Sequence, residues 1–422
     1  KKYFLSVSGR NDGSSRFGVN NRFANFWSVG AAWDVMQEQF MTSVPVLSTL
    51  KLKASYGTGG NNNIGNYEAQ GTYALNVRYN DQPAAAPFRL PNPNLTWETN
   101  TTLDIGAEIG LFKNRLNITA DYFIRKTDDL LYAINVSQTT GFGSYTGNVG
   151  NLENKGIELS VGGDIIRKSD LVWNVSANYT FIDNKVTKLY SDDVAYGSSG
   201  RLRVGHPIGT YFMTRWAEIN PQNGKNVYYN LAGAKTETYS AGDAVLLDGK
   251  SAIVKFFGSI NTSVSYKGFD LSAQFYYSGG NYVYNFQYTR GAYGSQFFNT
   301  QLYTDAFDYW KKPGDVVKLP NILDASQNTN YTTDRWLEKG DYISLRDLTL
   351  SYTTKQDLLS KIKVKSVRLF VQGTNLWIGS KFKGVPEVGQ SNRESGVVLP
   401  GQLTLFAYPQ TRSVTMGFDI RF

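Results

Sequence analysis

The sequence predicts an antiparallel all-β fold, and three features of its 422 residues lead to that prediction. Aromatic residues make up 14% of the chain and 41 residues are glycine, a composition that favours strands and turns over helices. Apolar and polar residues alternate with a period of two in segments along the whole chain. Short connections between these segments follow long ones, as in strands joined by hairpins.

The alternating segments predict about twelve strands, each with one apolar and one polar face. In order, they lie at residues 2–10, 23–33, 49–57, 101–110, 115–123, 155–164, 173–180, up to 266, 271–277, up to 352, 365–378 and 413–422. Two further strands are possible at residues 209–220 and 226–230, which would raise the total to about 14.

The polar faces suggest where these strands lie. They carry mainly Ser, Thr, Asn, Gly and Gln, which suits a crowded, wet interior, whereas the apolar faces are free of charge, as a lipid-facing surface must be. Four carboxylates on the polar faces are candidates for the lumen: Asp104, Glu108, Asp121 and Glu158. Paired carboxylates can hydrolyse glycosides, but on barrel strands we interpret them as wall groups paired with Lys and Arg. The sequence therefore predicts a transmembrane antiparallel β-barrel with no catalytic site, in which residues 1–422 are part of a single barrel domain with long loops.

The connections divide into two classes. Short links such as LFKNR, IIRKSD and YKGF alternate with long ones, for example between residues 57 and 97. Short turns at one end and long loops at the other are typical of bacterial outer-membrane barrels, with periplasmic turns and extracellular loops. Two of the short links, residues 33–49 and 354–363, are long enough to hold a helical turn.

Composition excludes several classes of site. The chain has no cysteine and one histidine, so disulfides, Cys/His zinc sites and thiol catalysis are excluded. The net charge of +8 comes from scattered Lys and Arg, which argues against nucleic-acid binding. Asp243 and Asp248 share one loop, but a calcium ion needs about six to eight oxygen ligands. We expect no metal and no cofactor.

Several long motifs resemble one family in the right order. They are SGRNDGSSRFGVNNRFANFWSVGAAW, LKLKASYGTGGNNNIGNY, NPNLTWETNTTLDIGAEIGLFKNRLNITADYFIRKTDDLL, NKGIELSVGGDII, GTNLWIGSKFKGVPEV and the closing YPQTRSVTMGFDIRF. On these motifs the chain resembles the C-terminal half of SusC/RagA-type TonB-dependent outer-membrane transporters. Because the first residues already read as a strand, we expect further residues upstream.

The family resemblance implies properties that the alternation of polar and apolar residues does not predict. It implies a barrel of about 22 strands whose lumen holds an N-terminal plug, and neither the plug nor the TonB box is in this sequence. It implies import of bulky nutrients such as oligosaccharides or peptides, a SusD-like surface lipoprotein as lid, and energy supplied by the TonB complex. The resemblance also implies that the chain lies in the bacterial outer membrane, in contact with its lipids. The terminal aromatics Phe418 and Phe422 resemble the signal that outer-membrane assembly machinery reads.

Substrate contacts and alternative functions stay open at this level. Loop aromatics that could stack on sugars include Tyr67, Tyr73 and Trp216. A passive porin or adhesin barrel, or a barrel scaffold in a larger outer-membrane assembly, would share the strand pattern. A soluble carbohydrate-binding β-sandwich or propeller would need the apolar faces to pack against each other.

Overall fold

A computed structural model describes residues 1–191, 194–197, 199–285, 288–289, 302–327, 333–354, 364–384, 386–387 and 410–422. The strands are β1 (Tyr3–Gly13), β2 (Phe23–Asp34), β3 (Leu47–Asn61), β4 (Thr72–Tyr79), β5 (Gln82–Arg89), β6 (Glu98–Leu111), β7 (Leu116–Asp128), β8 (Leu131–Asn135), β9 (Ser144–Asn148), β10 (Gly150–Arg167), β11 (Leu171–Leu189), β12 (Val194–Tyr196), β13 (Gly200–Leu202), β14 (Thr210–Met213), β15 (Trp216–Ile219), β16 (Asn226–Tyr229), β17 (Lys235–Thr236), β18 (Val245–Ser251), β19 (Phe256–Tyr266), β20 (Phe269–Gly279), β21 (Tyr282–Tyr284), β22 (Leu337–Lys339), β23 (Tyr342–Thr353), β24 (Ser366–Ser380) and β25 (Ser413–Arg421). Short 3-10 helices lie at Val35–Gln37, Gln39–Ser43, Gln138–Thr140, Ala241–Asp243, Thr304–Phe307, Ala325–Gln327 and Asp334–Trp336.

Twelve long strands in the described part of the chain belong to one sheet, in the order β1-β2-β3-β6-β7-β10-β11-β19-β20-β23-β24-β25. The order in the sheet is the order along the chain, and neighbouring strands such as β1 and β2, β6 and β7, and β24 and β25 are antiparallel. This arrangement confirms the predicted all-β class and the count of about twelve strands. Among the described residues, no helix is both long and apolar enough to cross a membrane.

The chain divides into two compact units, residues 1–163 with 180–192, and residues 164–179 with 193–422. In the first unit, β6 and β7 pair without a break from Thr99 opposite Asp128 to Leu111 opposite Leu116. The turn between them holds Phe112, Lys113 and Asn114 at positive φ, and Thr49 donates a hydrogen bond to the Asn114 side chain. This tight turn lets the two strands keep one register along their whole length.

Among the long strands of the second unit, the described pairings of β20 with β23 and of β23 with β24 each contain one irregularity. The register between β20 and β23 shifts at Gln274 and Phe275, and that between β23 and β24 shifts between Leu345 and Asp347. Apolar side chains are exposed along one face of these strands and of β25, among them Leu271, Leu350 and Met416. Large exposed apolar surfaces mark contact with a partner or a membrane.

Two expectations about the connections need correction. Residues 209–220 and 226–230 do form strands, but β14 belongs to a four-stranded sheet with β12, β13 and β18, and β15, β16 and β17 form a three-stranded sheet in that order. They are therefore loop strands outside the twelve-stranded sheet. β14 and β16 bury consecutive residues, and so both of their faces, which a strand with one face toward lipid does not do. A hairpin of β4 and β5, absent from the sequence prediction, fills part of the connection between β3 and β6.

Of the two predicted helical turns, only one lies within the described residues. The link at residues 33–49 contains two 3-10 helices, which confirms a helical turn there. The other predicted helical turn, at residues 354–363, lies almost wholly outside the described residues. The full count of about 22 strands stays a prediction.

Candidate functional site

The polar face of the first unit carries an ion pair that reaches across a strand. Lys53 on β3 lies opposite Gly106 on β6, and Gly106 lies opposite Asp121 on β7. The Lys53 Nζ is 2.9 Å from Asp121 Oδ1 and 3.9 Å from a Glu108 carboxylate oxygen. A Cβ at position 106 would overlap Asp121 Oδ1 and lie 2.7 Å from Lys53 Cε. Glycine at this position therefore makes room for the pair.

The four predicted wall carboxylates share this face. Asp104 and Glu108 lie two residues on either side of Gly106, and side chains of a strand return to the same face every second residue. Glu158 on β10 lies opposite Asp121. The structure brings Glu108 and Asp121 together on Lys53, a partner that the sequence prediction missed because no local pattern links β3 to β7. That this face lines a lumen stays a prediction.

Hydroxyl and amide groups continue the polar face of the first unit. A cavity of about 350 Å³ is lined by Ser6, Ser28, Ser55, Asn100, Thr102 and Arg125, among others. The Ser8 and Ser28 hydroxyls lie 2.7 Å apart across β1 and β2. These groups both donate and accept hydrogen bonds, so the surface suits a hydrogen-bonding solute.

The second unit has a polar face of the same kind. Asn174, Asn261, Gln274 and Asp347 help to line a cavity of about 300 Å³. The Asn178 side-chain amide donates to Ser259 Oγ over 2.8 Å, and Gln372 donates to Asp347. In this unit too, amides and hydroxyls outnumber charges on the face opposite the exposed apolar side chains.

A packed cluster in the loops of the first unit contains the motif residues near the start of the chain. Phe17, Leu95 and Trp97 are buried, and the Phe17 and Trp97 rings lie 4.8 Å apart. Arg16 donates to the Asn66 side chain over 3.2 Å and to the backbone carbonyl of Asn62 over 3.1 Å. The motif residues thus hold two loops together.

The β4–β5 hairpin is fixed at its base and exposed along its length. Glu68 pairs with Arg89 at 3.1 Å and accepts a hydrogen bond from the Thr146 hydroxyl at 2.6 Å. Beyond this anchor Tyr73 is 69% exposed, and Tyr67 before it is also exposed. Both predicted loop aromatics are therefore available for contact, although a role in substrate binding stays a prediction.

Trp216, the third predicted loop aromatic, is packed instead. The Arg335 guanidinium lies 4.4 Å from a Trp216 ring centroid and 4.5 Å from that of Trp336. Arg335 also donates to the Asn226 side chain over 3.0 Å, and the Trp216 indole N–H donates to the same oxygen. The Arg335 cation covers one face of the Trp216 ring and helps to stabilise the loop sheets, and a role of Trp216 in substrate binding stays a prediction.

A charged cluster joins three loop segments of the second unit. Tyr288 donates a hydrogen bond to Asp305, and Lys383 Nζ lies 3.0 Å from the Tyr288 hydroxyl and 3.3 Å from Asp305 Oδ2. The bond from Tyr288, followed by that from Lys383, lowers the pKa of Asp305 to about 2. Asp305 therefore stays ionised at neutral pH and stabilises the junction.

The remaining predicted site residues are two phenylalanines near the end of the chain. Phe418 and Phe422 are both exposed at the apolar face and end of β25, where their role in barrel assembly stays a prediction. Within the described ranges, no group of three or more His, Cys, Asp or Glu side chains could hold a metal ion.

Comparisons with known proteins agree on one family. Residues 1–266 match the family model described as TonB dependent receptor-like, beta-barrel. The whole chain aligns at 31% identity with 44% of TonB-dependent receptor P26 of Formosa agariphila. It aligns at 28% identity with 42% of TonB-dependent receptor SusC of Bacteroides thetaiotaomicron. The chain thus spans less than half the length of these relatives.

Solved structures show the same similarity in the backbone. The chain superposes over its whole length on 46% of a chain in the RagAB peptide importer in its closed-closed state, with a TM-score of 0.87 and 29% identity. The open-open state of that importer gives a TM-score of 0.86 over 45% of the matched chain.

Proposed function

Because the chain belongs to the TonB dependent receptor-like β-barrel family, as one of its SusC/RagA-type members, we propose that the whole protein imports bulky nutrients. Family membership confirms the predicted outer-membrane β-barrel and agrees with the prediction that the chain is not an enzyme. The imported solutes are oligosaccharides or peptides, taken up actively rather than by passive diffusion.

The observation that carries this proposal is the opposite character of the two sheet faces. In the first unit Leu5, Ile105 and Tyr122 are exposed on one face, while Lys53 and Asp121 pair on the other. In the second unit Leu271 and Met416 are exposed, and Asn261 and Gln274 line the opposite face. Strands of an outer-membrane barrel alternate in this way between lipid and an aqueous interior.

The substrate class is supported by the polar face and by the relatives. Hydroxyl and amide groups around Ser28, Ser55 and Asn100 offer hydrogen bonds to sugars or to peptide backbones. The RagAB relative is described as a peptide importer, and the alignment with it covers the whole chain. Tyr67 and Tyr73, exposed in the loops, would contact the solute before it reaches the wall.

Two partners belong to the same proposal. A SusD-like lipoprotein would close over the loops, as the two-component name of the RagAB importer suggests. The TonB complex would supply the energy for uptake, in keeping with the names of the relatives.

Uptake by the full-length protein tests the proposal. Cells that carry it should accumulate labelled oligosaccharides or peptides, and the uptake should stop when TonB is deleted or the proton gradient is collapsed. Uptake that continues without TonB would instead indicate a passive porin. Affinity purification should recover a surface lipoprotein; recovery of assembly machinery alone, with no uptake, would indicate a scaffold.

A further inference from the structure

The outer face of the first unit contains a pit in an otherwise bulky apolar surface. Ala31 on β2 lies opposite Ala54 on β3, and this row of the sheet continues to Leu5 on β1 and Ile105 on β6. Two small side chains are thus flanked by two large ones. A cavity of about 530 Å³ lies here and is almost entirely apolar.

The next row of the sheet forms the lower wall of the pit. Tyr3 lies opposite Trp33, and Trp33 lies opposite Leu52. All three side chains line the same cavity as Ala31 and Ala54. Beyond Leu52 the row continues to Ala107 on β6 and Ala120 on β7. These small side chains extend the shallow region of the apolar surface across both strands.

The apolar surface of the second unit is bulkier along one row of the sheet. There one row runs through Val264, Leu271, Leu350, Val371 and Met416, without a residue smaller than valine. Small residues do occur in the next row of that unit, where Ala273 on β20 and Gly373 on β24 lie on either side of Leu348. The row through Leu271 and Leu350 is therefore the bulky surface with which the pit is compared.

Polar groups below the pit mark the level of the membrane interface. The Tyr3 hydroxyl and the Trp33 indole N–H both donate to Glu38 Oε1, over 2.8 and 3.2 Å, and Lys2 Nζ pairs with Glu38 at 2.9 Å. Tyr and Trp collect at membrane interfaces with their polar atoms toward water. The connection between β2 and β3 is one of the short links, which lie on the periplasmic side. The pit therefore lies just inside the hydrocarbon of the periplasmic leaflet.

From this geometry we propose that the pit is a binding site for one acyl chain of a phospholipid of the periplasmic leaflet. A saturated chain is flexible and apolar, so it can fill the space above Ala31 and Ala54 that the neighbouring large side chains leave open. Its head group would lie at the level of Lys2 and Glu38. This site depends only on the membrane location of the chain, so it goes beyond the proposed transport and can fail without it.

Photo-crosslinking of the full-length protein tests the proposal. The protein is reconstituted in phosphatidylethanolamine and phosphatidylglycerol vesicles with a small share of phospholipid that carries a diazirine within one acyl chain. After illumination, mass spectrometry should find several-fold more adducts on the peptides with Ala31 and Ala54 than on those with Leu271 and Leu350. Equal labelling of the two regions would mean ordinary boundary lipid and would overturn the proposal.

Variants make the test specific. Ala54→Leu combined with Ala31→Leu fills the pit and should abolish the excess adducts, whereas Ala273→Leu, the same change on β20, should preserve them. Ala54→Val is a milder filling that should lower the adduct yield in a barrel that still folds, as judged by its mobility on unheated gels. Retained excess labelling in folded Ala54→Val and the double variant, or a cross-link between two copies through Ala54→Cys in place of lipid adducts, would refute the site.

Discussion

The long strands of the main sheet and the short strands of the loop sheets differ in where they put large apolar side chains. Met416 on β25 is 74% exposed and Leu271 on β20 is 46% exposed, whereas Met213 on β14 and Leu202 on β13 are fully buried. Both regions are built from strands, so secondary structure does not explain the difference. The surroundings do: lipid accepts apolar side chains on the sheet face, and water drives them together in the loops.

The comparison is sharpest for two methionines. Met213→Ala should destabilise the loop sheets by about 2–5 kcal/mol, because it leaves a cavity beside Leu247 and Ala252 that its neighbours cannot fill. Limited proteolysis of the loops in the reconstituted protein measures this loss. Met416→Ala is the matched control and should leave loop protection unchanged, since lipid refills the space. Equal protease sensitivity of both variants would contradict the difference between the regions.

A charged side chain on the exposed apolar face of the main sheet tests whether that face contacts lipid. Leu271→Arg should cost about 2–4 kcal/mol of folding free energy in a bilayer, because the guanidinium is then taken out of water. Urea titration of folding into vesicles measures the change. Gln274→Arg places the same charge on the polar face of the same strand and should cost much less. A similar loss for both would show that the Leu271 face does not contact lipid.

The Lys53–Asp121 ion pair on the polar face should contribute less to the free energy of unfolding than the apolar side chains of either region. Lys53→Met should destabilise the barrel by about 1 kcal/mol or less, because the Lys53 side chain is one-third exposed and water screens the pair. A double-mutant cycle with Asp121→Asn isolates the coupling, and Lys113→Met in the β6–β7 turn serves as the control. A coupling free energy between Lys53 and Asp121 well above about 1 kcal/mol would mean that water screens the pair less than the exposure of Lys53 indicates.

Acid should loosen the loop junction at Asp305. The pKa of Asp305 is lowered from 3.8 to about 2, so its stabilising contribution is complete above pH 4 and disappears as the pH falls through 2. Emission of Trp336, whose ring lies 5.3 Å from that of Tyr288, should report the loosening. Asp305→Asn should remove this transition while the barrel itself persists. An unchanged transition in the variant would assign it to another carboxylate.

Alternation with a period of two determined much of what the sequence reveals. Strands such as β7 and β25, and the faces of Leu271 and Met416, could be predicted because each side chain's direction depends only on its own position in its strand. The carboxylates Asp104, Glu108, Asp121 and Glu158 could be placed on one face for the same reason. Family motifs such as that around Arg16 were also contained in continuous stretches.

Only the tertiary structure decided what depends on contacts between distant segments. Lys53 and Asp121 meet because the register between β3, β6 and β7 places Gly106 between them, and no single strand encodes that register. The burial of Met213 and the cover of Trp216 by Arg335 likewise join residues far apart in sequence. The Ala31–Ala54 pit is of the same kind: each alanine is unremarkable in its own strand, and only pairing across the sheet makes a cavity of them.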